Sequence, residues 1–376
     1  MADQIQKIVT DLPTLMNVAG VWEVADSRFA QGDAAFCADL GIALAKEYGA
    51  RGAQLWQYRS VFDHLLKLLA TTAGSRGNVV QTLRLVTSSE IRSRKLDRYT
   101  ASLLASSHEP KDFAPVFSGS ASEELRACLV HELVLRDVVV AEAPGVAEWA
   151  TSPHWRHHPL GWLPLTLSDV EGRPDLPTYS IGGRSHAMPY GASDSREMAV
   201  VASVPVPSVV ETTTDAEAAL MARAVANWAE ESNGRIEARV FALGDPLGEA
   251  AVPNLLLALG LESLNGVGGK SPLSVAVCPP AHAWEELFAA ASTGGAYNSG
   301  SHGAYGRLAA WQSLAGLAGV MEGAAFGEVE ARVRECTWLG FSADTEWFER
   351  VAWDIGVVAV SPDRRRVAVL AATDTD

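Results

Sequence analysis

Asn298, His302, Tyr305 and Arg307 fall within the stretch Gly294-Gly-Ala-Tyr-Asn-Ser-Gly-Ser-His-Gly-Ala-Tyr-Gly-Arg307, which holds five glycines in fourteen residues. Glycine at that density lets backbone N–H groups turn inward and approach a ligand, because no Cβ stands in the way. A helix is expected from about Tyr305 onward, through Leu308, Trp311 and Leu314. The turn would then feed a helix N-terminus, where free N–H groups and the helix dipole favour an anion. Arg307 would add a bidentate partner for phosphate or carboxylate. Asn298 and His302 would orient such a ligand, and Tyr297 or Tyr305 would stack on it. No strand is read before the turn, and glycines three apart are a weak signature by themselves. A closely packed structural corner is therefore the heavier of the two readings.

The other constellations are weaker. His154-Trp-Arg-His157-His158 places three imidazoles in five residues, with His131-Glu132 or Asp169 as conceivable completing ligands. The segment is proline-rich and lacks the His-Glu-x-x-His spacing, so His154, His157 and His158 are only weak metal candidates, and no metal or cofactor is expected. Asn265-Gly-Val-Gly-Gly-Lys-Ser271 looks like a phosphate loop, but Leu264 stands where glycine is needed and Pro272 follows. There is no Gly-x-Ser-x-Gly elbow, and Cys278, before Pro279-Pro280, has no identifiable base. Asp344, Glu346, Glu349 and Asp354 gather near Trp347 and Trp353, which would suit glycosidase-like acid/base work, although a solvated helix end is commoner. A basic cluster, Arg84, Arg92, Arg94, Lys95 and Arg98, stands against an acidic background. Arg94, Lys95 and Arg98 share one helix face, and with Arg84 they form a candidate partner-binding surface.

The elements that must position these residues differ along the chain. Residues 1 to about 160 read as helix after helix. Gln54 to Ala70 carries Leu55, Tyr58, Phe62, Leu65, Leu66 and Leu69 at helical spacing. Ser120-Ala-Ser-Glu123 reads as a capping box ahead of a second such face. Prolines and glycines crowd 153–189, and a boundary is placed near 170. Met198–Val210, rich in valine but broken by Pro205 and Pro207, suits an edge strand. Thr214-Asp-Ala-Glu217 opens a helix with Leu220, Met221, Ala224, Val225 and Trp228 on one face. Arg235–Phe241 alternates as a strand. Helices are expected near 248–261, 281–291, 306–318 and 327–335. Ile355–Val360 and Arg366–Ala371, joined by Ser361-Pro-Asp-Arg364, form a C-terminal β-hairpin. The fold class is α+β. A helical bundle or short HEAT-like helical stack over 1–170 precedes an α+β domain over 171–376 with a mainly antiparallel sheet.

Composition narrows the function classes. With 45 acidic against 30 basic residues the formal charge is −15, which argues against a surface given over to nucleic acid or anionic membrane, except through the local basic face. No apolar run approaches the roughly 20 residues that cross a bilayer. The four cysteines, Cys37, Cys128, Cys278 and Cys336, show no paired spacing and read as small buried apolar residues of a cytoplasmic protein. Eleven tryptophans, scattered from Trp22 to Trp353, read as core anchors.

Trp155-Arg-His-His-Pro-Leu-Gly-Trp-Leu-Pro164, Trp228-Ala-Glu-Glu-Ser-Asn-Gly-Arg-Ile-Glu-Ala-Arg239, Gly294–Trp311 and Ala371-Ala-Thr-Asp-Thr-Asp376 together resemble a family of actinobacterial proteins of unknown function. The resemblance spans nearly the whole length and implies that both halves belong to one unit. It carries no activity and no site. The expectation is a non-enzymatic protein-binding or scaffold module with a protein partner. The alternative is an enzyme or sensor that takes an anionic small molecule or nucleotide at Gly294–Arg307.

Overall fold

The computed structural model describes residues 2–51, 55–88, 93–143, 145–186, 196–200, 204–267, 272–348 and 353–375. They divide into two compact units, Met1–Gly161 with Leu176–His186, and Trp162–Asp175 with Ala187–Asp376. The chain is α+β, with an N-terminal helical region followed by an antiparallel sheet.

The first unit is built from α1 (Ala2–Asp11), α2 (Ala19–Ala30), α3 (Ala34–Tyr48), α4 (Trp56–Thr71), α5 (Arg76–Val86), α6 (Arg94–Ser107), α7 (Ala114–Ser118), α8 (Glu123–Val134), α9 (Val146–Trp149) and α10 (Pro153–His157). Apolar spacing explains the packing. On α4, Tyr58, Val61, Leu65, Leu66 and Leu69 are buried, and on α3, Phe36, Cys37, Leu40 and Leu44. A short hairpin, β1 (Thr178–Ser180) with β2 (Gly183–Ser185), returns to this unit, and the Tyr179 hydroxyl lies 2.9 Å from that of Ser102 on α6. The start of α8 corrects the expected capping box. Ser122, not Ser120, is the N-cap, and its hydroxyl accepts the Leu125 N–H at 3.0 Å. The same hydroxyl donates to Asp97 of α6 at 2.7 Å, so the cap also ties two helices together.

The second unit holds β3 (Arg196–Met198), β4 (Val209–Glu211), α11 (Asp215–Met221), α12 (Ala226–Glu231), β5 (Arg235–Leu243), α13 (Val252–Ala258), β6 (Leu273–Cys278), α14 (Pro280–Thr293), α15 (His302–Leu317), α16 (Phe326–Glu335), β7 (Thr337–Ala343), β8 (Trp353–Val360) and β9 (Arg366–Asp374). Seven strands pair antiparallel in the order β3-β6-β7-β8-β9-β5-β4. Both faces of the sheet are covered. Phe241, Leu339, Phe341, Val358, Val367 and Val369 join Leu255 and Leu256 of α13 in one core. The alternate residues, Val240, Trp338, Val357, Ala368 and Leu370, are buried on the opposite face. There α14 packs on β7 and α15 on β9, and the Trp338 indole donates to Val333 of α16 at 2.8 Å.

Several expectations meet this structure directly. The Thr214–Glu217 capping box is present, and Leu220, Met221, Ala224, Val225 and Trp228 are all buried. The single edge strand expected over Met198–Val210 is corrected: β3 ends at Met198 and β4 begins at Val209, two short strands at opposite edges of the sheet, with 201–203 outside the described residues. In the hairpin, Arg364 donates its N–H to the Ser361 carbonyl at 2.8 Å and takes φ 60°, which closes the turn onto β9. The helix expected over 248–261 is instead a 3-10 turn, the short α13 and a second 3-10 turn at Glu262–Leu264. Pro253 inside the pattern accounts for part of this, since proline is accepted in the first turn of a helix and not within it. Strands β6 and β7 were not anticipated.

The capping geometry predicts a cost for losing one hydroxyl. Ser122→Ala should lower stability by about 1 kcal/mol in urea titrations followed by circular dichroism. A midpoint equal to that of the parent would contradict Ser122 as the cap.

Candidate functional site

The Gly294–Arg307 stretch joins the end of α14 to the first turns of α15. Gly294 takes φ 84° and Gly300 φ 65°, a left-handed backbone that favours glycine. The turn is organised around one side chain. The Asn298 Oδ1 accepts the N–H groups of Gly295 at 3.3 Å and Gly300 at 3.0 Å, and also the Asn227 amide at 3.1 Å. The Asn298 Nδ2 donates to the Asn227 carbonyl at 3.0 Å. Ser301 N–H donates to the Ala291 carbonyl at 2.8 Å, which closes the loop against α14. An acidic residue completes the set: the Asp374 Oδ2 accepts the Ala296 N–H at 2.6 Å. The inward-facing groups are thus taken up by the protein itself. Tyr297, 60% exposed, and Ser299 face outward.

Helix α15 starts at His302, three residues earlier than expected, with His302 at φ 60° and buried. Gly306 permits its close packing on α14, since a Cβ there would stand 2.7 Å from the Ser292 Cβ. Tyr305 is half-buried. Arg307 is fully buried, at 0% exposure, and so is its counter-ion, Glu171. The pair is bidentate, Nε to Oε1 at 2.5 Å and Nη2 to Oε2 at 2.8 Å. The guanidinium also donates to the carbonyls of Pro164 at 2.9 Å and Thr166 at 2.8 Å. Glu171 in turn accepts the Trp311 indole N–H at 2.8 Å and the Ser168 N–H at 2.8 Å. The bidentate partner foreseen for Arg307 therefore exists, but it is a carboxylate of the chain. Glu171 was not singled out from the sequence. A cation inside an otherwise apolar helix announces that some buried acid must exist, yet nothing in the spacing distinguishes Glu171 from the chain's other acidic residues.

The remaining candidates are separately placed. His154 and His157 are exposed, while His158 lies 3.2 Å from Glu124 and accepts the Leu160 N–H through Nδ1. Among the described residues no group of three or more His, Cys, Asp or Glu side chains is placed to hold a metal ion. His131 is buried, bonded to the Leu160 carbonyl at 2.9 Å and stacked on Trp155. Of the basic residues, Arg84 pairs with Asp39 at 2.7 Å and Arg98 with Glu124 at 3.0 Å, while Arg94 and Lys95 are exposed. Arg92, Lys270, Ser271 and Glu349 lie outside the described residues; Asp344 and Glu346 are exposed. Cys278 ends β6, and one helical turn on, His282 sits 3.3 Å from Glu286. That hydrogen bond raises the His282 pKa, whereas burial pushes the Cys278 thiol up to about 12, which leaves it a poor nucleophile.

Two outcomes follow from this geometry. Arg307→Ala strands the Glu171 carboxylate in a buried site, so it should cost about 3–5 kcal/mol in chemical denaturation. A midpoint near that of the parent would contradict the buried pair. All four cysteines are free and buried, with thiols raised to about 12 for Cys37 and Cys278, to about 11 for Cys336, and well above normal for Cys128. At pH 8 the native protein should give essentially no colour with a thiol-reactive disulfide reagent and four equivalents in denaturant; rapid labelling of the folded chain would refute this.

No curated protein and no solved structure matches the chain. A family model does, over residues 19–376, which take in the glycine turn, the Arg307–Glu171 pair, the whole second unit and the first unit from its second helix onward. On that match the chain belongs to DUF6183, a family of unknown function.

Proposed function

We propose that this protein is a non-enzymatic protein-binding module whose helical unit docks an acidic partner through the outer surface of α5 and α6. The observation that carries the reading is the placement of Arg94 and Lys95. They occupy the first two positions of α6, and both are exposed. Unpaired N–H groups and the macrodipole make that end of a helix positive, so a cation there costs roughly 0.3–1 kcal/mol where an acid would stabilise. In a chain with 45 acidic residues against 30 basic ones, two exposed cations at so unfavourable a helix end favour a partner as their explanation. On α5, Arg76, Val80 and Arg84 lie at four-residue spacing and are also exposed, Arg84 in a pair with Asp39 at 2.7 Å. An acidic segment would meet the side chains and the helix end with favourable interactions at once.

The polar groups of the Gly294–Arg307 turn favour this reading over a ligand site there, because Arg307 and Asn298 are engaged within the protein. The test is affinity enrichment from cells that make the protein, followed by calorimetry with the partner identified. Arg94→Glu/Lys95→Glu should weaken binding at least tenfold, flatten its salt dependence and leave the circular dichroism spectrum unchanged. Unaltered affinity in the charge-reversed protein would dismiss the α5–α6 surface.

A further inference from the structure

His108 closes α6 as its C-cap, and its backbone N–H donates to the Leu104 carbonyl at 3.0 Å. The residue is 6% exposed, and among the described residues neither ring nitrogen meets a partner in hydrogen-bonding geometry. Other buried histidines of this unit are engaged: His64 lies 2.7 Å from Asp26, and His131 2.9 Å from the Leu160 carbonyl. The His108 ring instead packs edge-on against Phe113 of the 3-10 turn Pro110–Phe113, with centroids 6.4 Å apart. Burial without a bonded partner favours the neutral ring, because an imidazolium there would give up its water. Two groups work the other way. The Asp112 carboxylate of the same turn, 8% exposed, and the Ala70 carbonyl of α4 both favour a proton, yet burial outweighs them and holds the pKa below its ordinary 6.5. Glu109 and Lys111 are exposed and pair with each other at 2.5 Å. Helix α5 also packs on the turn, and among the described residues it brings no charged group that acts on the ring.

We propose that His108 is a proton-sensitive catch of the helical unit: neutral, it lets α6 and the Pro110–Phe113 turn close over it, and protonated, it leaves Phe113 for Asp112 and the Ala70 carbonyl and loosens that corner. The waiting acceptors distinguish a catch from a ring that is merely buried. Neither is bonded to the ring as it lies, so engaging them means moving the ring or the turn. Above pH 6.5 the folded and unfolded chains both carry a neutral ring, and the corner is at full strength. As pH falls below that value the unfolded chain takes the proton first, so stability declines until the lower native pKa is passed. This inference does not rest on the docking surface, although α5 and α6 bear it.

The test is hydrogen exchange in the full-length chain, followed from Leu103 to Phe113 and corrected for the intrinsic pH dependence of exchange. From about pH 7.5 to about pH 5 the parent should lose protection there, roughly tenfold for each unit by which burial lowers the His108 pKa. His108→Leu packs without titrating and should show no such loss, while His64, His131 and His158 are present in both proteins. A ring with only a packing role would change protection by the same factor at every pH. An equal pH slope in parent and His108→Leu therefore overturns the proposal. Should His108→Leu fail to fold, His108→Gln is polar and does not titrate, and the same comparison of slopes applies. The parent gives a check that needs no variant. Its His108 ring, followed by NMR, should titrate below 6.5, and a midpoint at or above that value would equally overturn the catch.

Discussion

A guanidinium with no exposed surface sets the terms for the second unit. Arg307 lies on α15, a helix buried almost all round, and moving its charge out of water carries a penalty of several kcal/mol unless every donor finds an acceptor. Glu171 and the carbonyls of Pro164 and Thr166 meet that demand. The consequence reaches beyond the pair. A stretch with little regular structure of its own, Pro164 to Glu171, acquires a fixed path because its carbonyls and its acid must converge on one planar fork. Trp311, one turn further along α15, adds its indole N–H to the same carboxylate, so the helix grips the segment at two points. At the other end of α15, Arg366 of β9 donates to the carbonyls of Leu317 at 2.7 Å and Gly316 at 3.2 Å, a cation at the negative end of the dipole.

The same helix explains why glycine is concentrated ahead of it. For α14 and α15 to pack closely, the connection must reverse tightly and Gly306 must present no Cβ to Ser292. The dense glycine that reads as a ligand cradle is thus first a consequence of close helix packing. Its inward N–H groups still need acceptors, since an unpaired buried donor is costly. The chain supplies them from Asn298 and from Asp374, residues brought in from the turn itself and from a distant strand. A loop shaped by packing and a loop shaped for an anion share one geometry here, which is why the residue types alone did not separate them.

What the sequence disclosed was mostly local. The Thr214 capping box and the C-terminal hairpin turn each depend on a few adjacent residues, and each was readable. Seven of the eleven tryptophans are buried, in keeping with scattered core anchors. The failures share a cause as well. Strands β6 and β7 lie in a sheet covered on both faces, so much of the alternation that marks a half-buried strand is lost. Ser122 replaced Ser120 as the cap because Asp97, from another helix, fixes its hydroxyl. Glu171 was hidden for the same reason: its importance is a property of a partner 136 residues away, not of its neighbours.

The distribution of charge bears on function more than any single motif does. In the second unit two groups able to recognise an anion with directional geometry, the Arg307 fork and the Ala296 N–H of the glycine turn, are each matched by an internal carboxylate at 0% or 1% exposure. Groups so arranged are spent on the fold. The Arg307 fork is closed by a bidentate carboxylate, and the Ala296 N–H of the turn is taken by Asp374, which the Ser232 hydroxyl also holds. Residue types that read as an anion site are therefore, in this unit, the means by which buried donors are satisfied.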